Sequence, residues 1–106
     1  MQFINPIYFI PITYKEDEIG NYSPVIEFDK KRKVLSSISS VKQSEFYQAQ
    51  ISGLKPEIVF KVRGFEYNGE TLIKYNEKVY EVIRTYNTLE GIVEIVCTEK
   101  VGISDG

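Results

Sequence analysis

The sequence predicts a mostly β protein: a small antiparallel β-barrel of SH3-like or Greek-key type, with six or seven strands and one short helix near residues 44–51. Three observations predict it. Eight Tyr and six Phe stand beside many Ile and Val, while Ala and Leu are scarce. Such β-branched and aromatic side chains suit a pleated, half-buried surface. Apolar residues alternate at period two in several short runs, and turn residues such as Gly20-Asn21, Asn68-Gly69 and Gly91 separate those runs. Closing the strands into a barrel removes their edges and buries one shared core.

Ile7 to Tyr14 is the expected first strand, with Ile10, Ile12 and Tyr14 on one face. Pro11 within it marks either an edge position or a bulge. Lys15 to Ser23 reads as a turn region, because Gly20-Asn21 supplies the positive φ values of a reversal. Pro24 opens a second strand, Val25 to Phe28. The basic run Lys30-Lys31-Arg32-Lys33 precedes a third strand from Val34 to about Val41. Val34 and Ile38 share one face of it, Leu35 and Val41 the other. Ser36, Ser37, Ser39 and Ser40 fill the rest, which suits either a closely packed neighbouring subunit or a polar edge.

Ser44 has the chemistry of a helix N-cap, and Glu45 places negative charge in the first turn. Phe46 and Ala49 then face the core, and Ser52-Gly53 with Pro56 ends the helix. Ile58 to Arg63 alternates cleanly, with Ile58, Phe60 and Val62 inward. Leu72 to Tyr75 and Val79 to Thr85 form the strongest hairpin signal. Asn76-Glu77 between them is compatible with a type I′ turn, whose second position favours Gly, or with a longer bulged loop. A second hairpin runs across Asn87 to Gly91 into Ile92–Thr98. The nearly continuous apolar run Ile92–Cys97 suits a central strand buried on both faces. The chain reads as one domain, 1–106, with flexible N- and C-terminal tails, the latter from Glu99 onward.

Composition excludes several chemistries. The chain has no His and a single Cys, Cys97, so Ser-His-Asp triads, Cys–His pairs and His-containing metal sites are excluded. Cys97 lies in an apolar run and reads as a small buried hydrophobe. Isolated glycines form no phosphate-cradling loop. Glu16, Asp17 and Glu18 are the nearest carboxylates to an acid–base pair, but they fall in a solvated turn. No catalytic, cofactor-binding or metal site is expected, so the protein is not expected to be an enzyme. With a formal net charge of −2, the chain exerts no global pull toward nucleic acid or an anionic membrane. No run approaches the ~20 apolar residues of a membrane helix, and no secretory signal peptide is expected. Lys30 to Lys33 are candidates for non-specific contact with DNA phosphate or an acidic partner, against the plainer role of a solvated run that protects a strand edge. Tyr8, Phe9, Phe65, Tyr67 and Tyr86 suit core or interface packing better than base stacking, because no wide basic field accompanies them.

The order of these pieces resembles the small head–tail joining proteins of long-tailed bacteriophages, also called head-closure or stopper proteins. The resemblance spans about Ile10 to Glu99. It rests on the acidic Gly-Asn turn in Ile10–Asn21, the Glu-aromatic-x-x-Ala helix in Ser39–Gln50 and the strand Val59–Arg63. The pattern Ile-x-Tyr-Asn-x-Lys-x-Tyr-x-Val at Ile73–Val82 and the closing Glu94–Glu99 complete it. Glu77 departs from the family's usual Gly, and Ser44 stands where a Gly often precedes the helical Glu. The resemblance implies a structural virion protein of the phage neck. It would be monomeric when free and would form rings of about twelve copies, a dodecamer, below the portal–adaptor complex. It would close the DNA-filled head and present a docking surface to the tail completion or terminator protein. Assembly would occur in the bacterial host cytoplasm. The implied assembly contacts are Glu16, Asp17, Glu18, Asn21 and Tyr22 on one loop, and Glu45, Tyr47 and Gln48 on the helix. Lys30, Lys31, Arg32 and Lys33 remain the candidates for packaged double-stranded DNA. Two other roles fit the same residues: a tail-completion or connector protein, and a peptide-binding β-barrel adaptor.

Overall fold

The computed structural model describes residues 2–39 and 56–103. Eight strands run in chain order: β1 (Asn5–Ile10), β2 (Ile12–Glu16), β3 (Tyr22–Ile26), β4 (Arg32–Ser39), β5 (Ile58–Arg63), β6 (Leu72–Tyr75), β7 (Lys78–Asn87) and β8 (Ile92–Glu99). Six of them close an antiparallel barrel in the order β1-β4-β5-β8-β7-β6, with β6 pairing back to β1. The mostly β barrel is therefore as expected. Strands β5 to β8 form a Greek key, three hairpin-connected strands with β5 returning beside β8. The expected helix near 44–51, with Glu45, Tyr47 and Gln48, lies outside the described residues, as does the end of the third strand at Val41.

Alternation builds the core. Ile7 and Phe9 of β1, Val34 of β4, Phe60 and Val62 of β5, Ile73 of β6, Tyr80 of β7, and Val93, Ile95 and Cys97 of β8 all point inward and are buried. The Phe60 ring meets the edges of Tyr75 and Tyr80, each with centroids 5.6 Å apart. Edge-to-face contact of this kind adds to simple burial. Strand β8 is buried on both sides as the sequence predicts, because Val96 faces outward yet packs with Val59 and Tyr86. An extra residue, Ile83, bulges from β7 between Val82 and Arg84, and shifts the register against β8.

Three boundaries differ from the sequence reading. The expected first strand, Ile7–Tyr14, breaks at Pro11 into β1 and β2. Proline brings no N–H to a ladder, so the chain leaves the barrel there and β2 pairs only with β3. The Lys15–Ser23 region is mostly strand, and its turn narrows to 17–21. The C-terminal segment is fastened as far as Ile103. The Lys100 N–H donates to the Val79 carbonyl at 2.8 Å, and Ile103 packs against Ile10, Leu72 and Val79.

The 76–77 turn has two residues, with Tyr75 paired to Lys78 and positive φ at both Asn76 (53°) and Glu77 (69°). That is the I′ geometry, whose twist matches the flanking strands. Glu77 occupies the position that favours Gly.

Candidate functional site

The feature that distinguishes this barrel is the arm formed by β2 and β3. The root of the arm is fixed: Ile12, Ile26 and Phe28 pack on the outward-facing Ile10, Leu72 and Val79 of the barrel. The Glu27 N–H donates to the Pro11 carbonyl at 2.9 Å, closing the base of the hairpin. Registers Ile12↔Ile26, Tyr14↔Pro24 and Glu16↔Tyr22 place those residues on one face. The face that covers barrel at the root thus continues uncovered along the arm. Tyr14 is 67%, Ile19 81% and Tyr22 67% exposed. Large apolar side chains left in water together on one hairpin make it a candidate contact surface.

The arm tip orders its own turn. The Asp17 carboxylate accepts from the N–H groups of Ile19 (3.0 Å) and Asn21 (2.8 Å). The Gly20 N–H donates to the Asp17 carbonyl at 3.2 Å, and Gly20 takes φ 87°. Asp17 and Asn21 therefore shape the tip, while Glu16 and Glu18 present charge on it. Glu16 also accepts from the Tyr22 hydroxyl at 3.5 Å. Pro24 opposite Tyr14 removes a donor from a strand with one free edge, which blunts sheet extension there.

The basic run divides. Arg32 has a structural position: its guanidinium donates to the Glu66 carbonyl (2.7 Å) and the Glu70 carboxylate (2.8 Å), and it lies over the Phe9 ring at 5.2 Å. It thereby ties β4 to the 64–71 connection across that end of the barrel. Tyr67 of the same connection packs on Phe9 and donates its hydroxyl to the Glu70 carbonyl at 2.8 Å. Burial raises the Tyr67 hydroxyl above its ordinary pKa. Burial alone would also raise the Glu70 carboxyl, but the Arg32 hydrogen bond and the Asn68 N–H hold it below the usual range.

Lys31, Lys33 and Lys30 face outward. Lys31 donates to the Phe28 carbonyl at 3.3 Å and lies 5.8 Å over the Tyr8 ring. Lys33 and Lys74 both pair with Tyr8, from β4 and β6 respectively. An open groove of about 480 Å³ runs beside them, lined by Pro6, Tyr8, Lys31, Lys74, Tyr75 and Glu77 among others. Lys74 did not stand out in the sequence, because only the β1–β6 closure brings it to Tyr8. The exposure of Tyr14 was equally hidden, since its place on the Ile10 and Ile12 face reads as core until β2 leaves the barrel.

Other features carry structure. Cys97 is buried, and burial pushes its thiol well above the ordinary range. Among the described residues, no group of three or more His, Cys, Asp or Glu is placed to hold a metal ion. No described helix is long and apolar enough to cross a membrane.

No family model and no curated protein matches this chain. The fold is shared with the solution structure of protein SF1141 from Shigella flexneri 2a, a structural genomics target. That match has a TM-score of 0.70 at 15% identity and covers 95% of this chain and 96% of the other. Likeness at that identity concerns the fold alone.

Proposed function

We propose that this chain is a structural, non-enzymatic protein of the phage neck, a head-closure ring subunit placed between the portal–adaptor complex and the tail. The observation that supports the reading is that the chain leaves one closed barrel at both of its ends. The arm leaves where β1 ends at Ile10, while β4 ends at Ser39 and β5 begins at Ile58 at the other end. A joining protein must hold one partner on each side, and a closed barrel is a stiff body for doing so. Weak contacts suffice, because a ring multiplies them. On this reading the mature protein resides in the virion after assembly in the host cytoplasm. The 44–50 segment with Glu45, Tyr47 and Gln48 meets the adaptor or channel, and Lys30, Lys31 and Lys33 face any contact with packaged DNA. A tail-completion protein uses the same body with the partners exchanged. A peptide-capturing adaptor has less to work with, since among the described residues barrel closure leaves the free sheet edges to the arm.

The test is to mix the purified protein with portal–adaptor complexes and image the product by electron cryomicroscopy. An added ring below the adaptor is expected, and absence of binding would overturn the reading. Replacing Glu45, Tyr47 and Gln48 together by Ala should impair head–tail joining and DNA retention. Unchanged joining would remove the 44–50 segment from the contact.

A further inference from the structure

We infer that two copies of this chain pair through the outer edge of β2, antiparallel about a two-fold axis at Tyr14, so that two arms make one four-stranded sheet. The inference goes beyond the head-closure reading. The resemblance implies a monomeric free chain, whereas this contact makes the free chain a dimer and closes at two copies.

Hydrogen bonding within the arm sets which groups are open. The Asp17 N–H donates to the Asn21 carbonyl at 2.8 Å, at the far end of the ladder from the bond between Glu27 and Pro11. In an antiparallel ladder such bonds recur at every second residue. Thr13 and Lys15 therefore bond to β3, while Ile12, Tyr14 and Glu16 turn their N–H and C=O groups to the outer edge. On β3 the outward residues are Tyr22, Pro24 and Ile26, and Pro24 has no N–H to give. The barrel is closed, so among the described residues β2 keeps the intact open edge. A cleft of about 330 Å³ lies along it, between Ile12 and Tyr14 on one side and Asn68 and Glu70 on the other. An incoming strand has room there.

Charge chooses a second copy as the occupant. Lys15 pairs with Ser23, and Glu27 lies about 13 Å further along the ladder. Neither has an ion-pair partner among the described residues. With Tyr14 opposite Tyr14 of the second copy, Lys15 of one copy falls opposite Thr13 of the other. The Thr13 hydroxyl donates to the Glu27 carboxylate at 3.0 Å, so Lys15 arrives beside that carboxylate, twice over by symmetry. Opposite charges so placed fix register. The same register sets the exposed Tyr14 rings against each other. A slipped register centred on Lys15 would oppose like charges, which is unfavourable. A foreign strand would find the same backbone groups, but the matched Lys15 and Glu27 come with a second copy.

Disulfide trapping with the purified full chain tests this. Tyr14→Cys protein should link to itself under mild oxidation, because hydrogen-bonded strand partners hold their Cα atoms about 5.5 Å apart, within disulfide reach. Leu89→Cys, fully exposed on the β7–β8 turn, is the comparison, and native Cys97 is buried and does not compete. The Tyr14→Cys dimer should form at least about tenfold faster than the Leu89→Cys dimer. Adding Lys15→Glu should return it to the comparison rate, and adding Glu27→Lys to that variant should restore it. Sedimentation of the parent chain should show a dimer. Tyr14→Pro should abolish it with an unchanged circular-dichroism spectrum, since the lost N–H points to the open edge and not into the β2–β3 ladder. Equal rates for the two cysteine variants, rates indifferent to the charge changes, or a dimer that survives Tyr14→Pro would overturn the contact.

Discussion

Replacing Glu77 by Gly should stabilise the protein. Glu77 sits at φ 69° in the turn between β6 and β7, in the left-handed region where an L side chain crowds the following carbonyl. That conformation costs roughly 1–2 kcal/mol for an ordinary residue and almost nothing for Gly. Gly also gives the unfolded chain more freedom, which offsets roughly 0.5–1 kcal/mol. The net expected gain is about 0.5–1 kcal/mol, which for a domain of this size corresponds to a Tm rise of roughly 2–6 °C. Thermal melts by circular dichroism measure it, with urea titration checking that the midpoint moves and the slope does not. Two variants isolate the cause. Glu77→Gln removes the charge but keeps the strain, so it should leave Tm nearly unchanged. Asn76→Gly should gain less than Glu77→Gly, because Asn tolerates this region better. A Glu77→Gly protein with a Tm equal to or below the parent would refute the argument.

Two further outcomes follow from the same geometry. Because the Glu70 carboxyl is held below its ordinary pKa, its stabilising contribution is fully present above the unfolded value, near 4.5, and fades as pH falls through the folded one. The Tm difference between parent and Arg32→Ala should therefore be largest near neutral pH and shrink below about pH 4.5; a gap constant between neutral pH and pH 3 would remove Arg32 as the cause. The Cys97 thiol, buried and with its pKa raised by that burial, should resist alkylation in native buffer and react fully in denaturant, and prompt native labelling would show that β8 is not buried as described.

The arm and the groove were the parts least legible in the sequence. Pro11 was visible as a disturbance in the first strand, but a proline fits an edge, a bulge or a break equally well. Only pairing chooses among them, and here β2 finds β3 and leaves the barrel. Tyr14 and Ile12 share one period-two face in the sequence, yet one is exposed and the other packs at the root. Arg32 looked equivalent to its lysine neighbours, and its inward phase beside Val34 turned it onto Glu70 instead.

What the sequence by itself determined is the local grammar: period-two alternation, turn residues, and an apolar inventory rich in Tyr, Phe, Ile and Val. Those fix strand faces because side chains in a strand alternate whatever lies next to them. Inward Phe60 and Val62 were therefore readable in advance. What tertiary structure decided is every relation set by which strand lies beside which. Closure of β1 on both β4 and β6 gathers Tyr8, Lys33 and Lys74 from three distant segments. Tight pairing of Tyr75 with Lys78 forces Glu77 into a conformation that its own preference opposes. Such relations depend on long-range pairing, which local propensity does not encode, and for that reason the barrel was legible from the residues while its arm and groove were not.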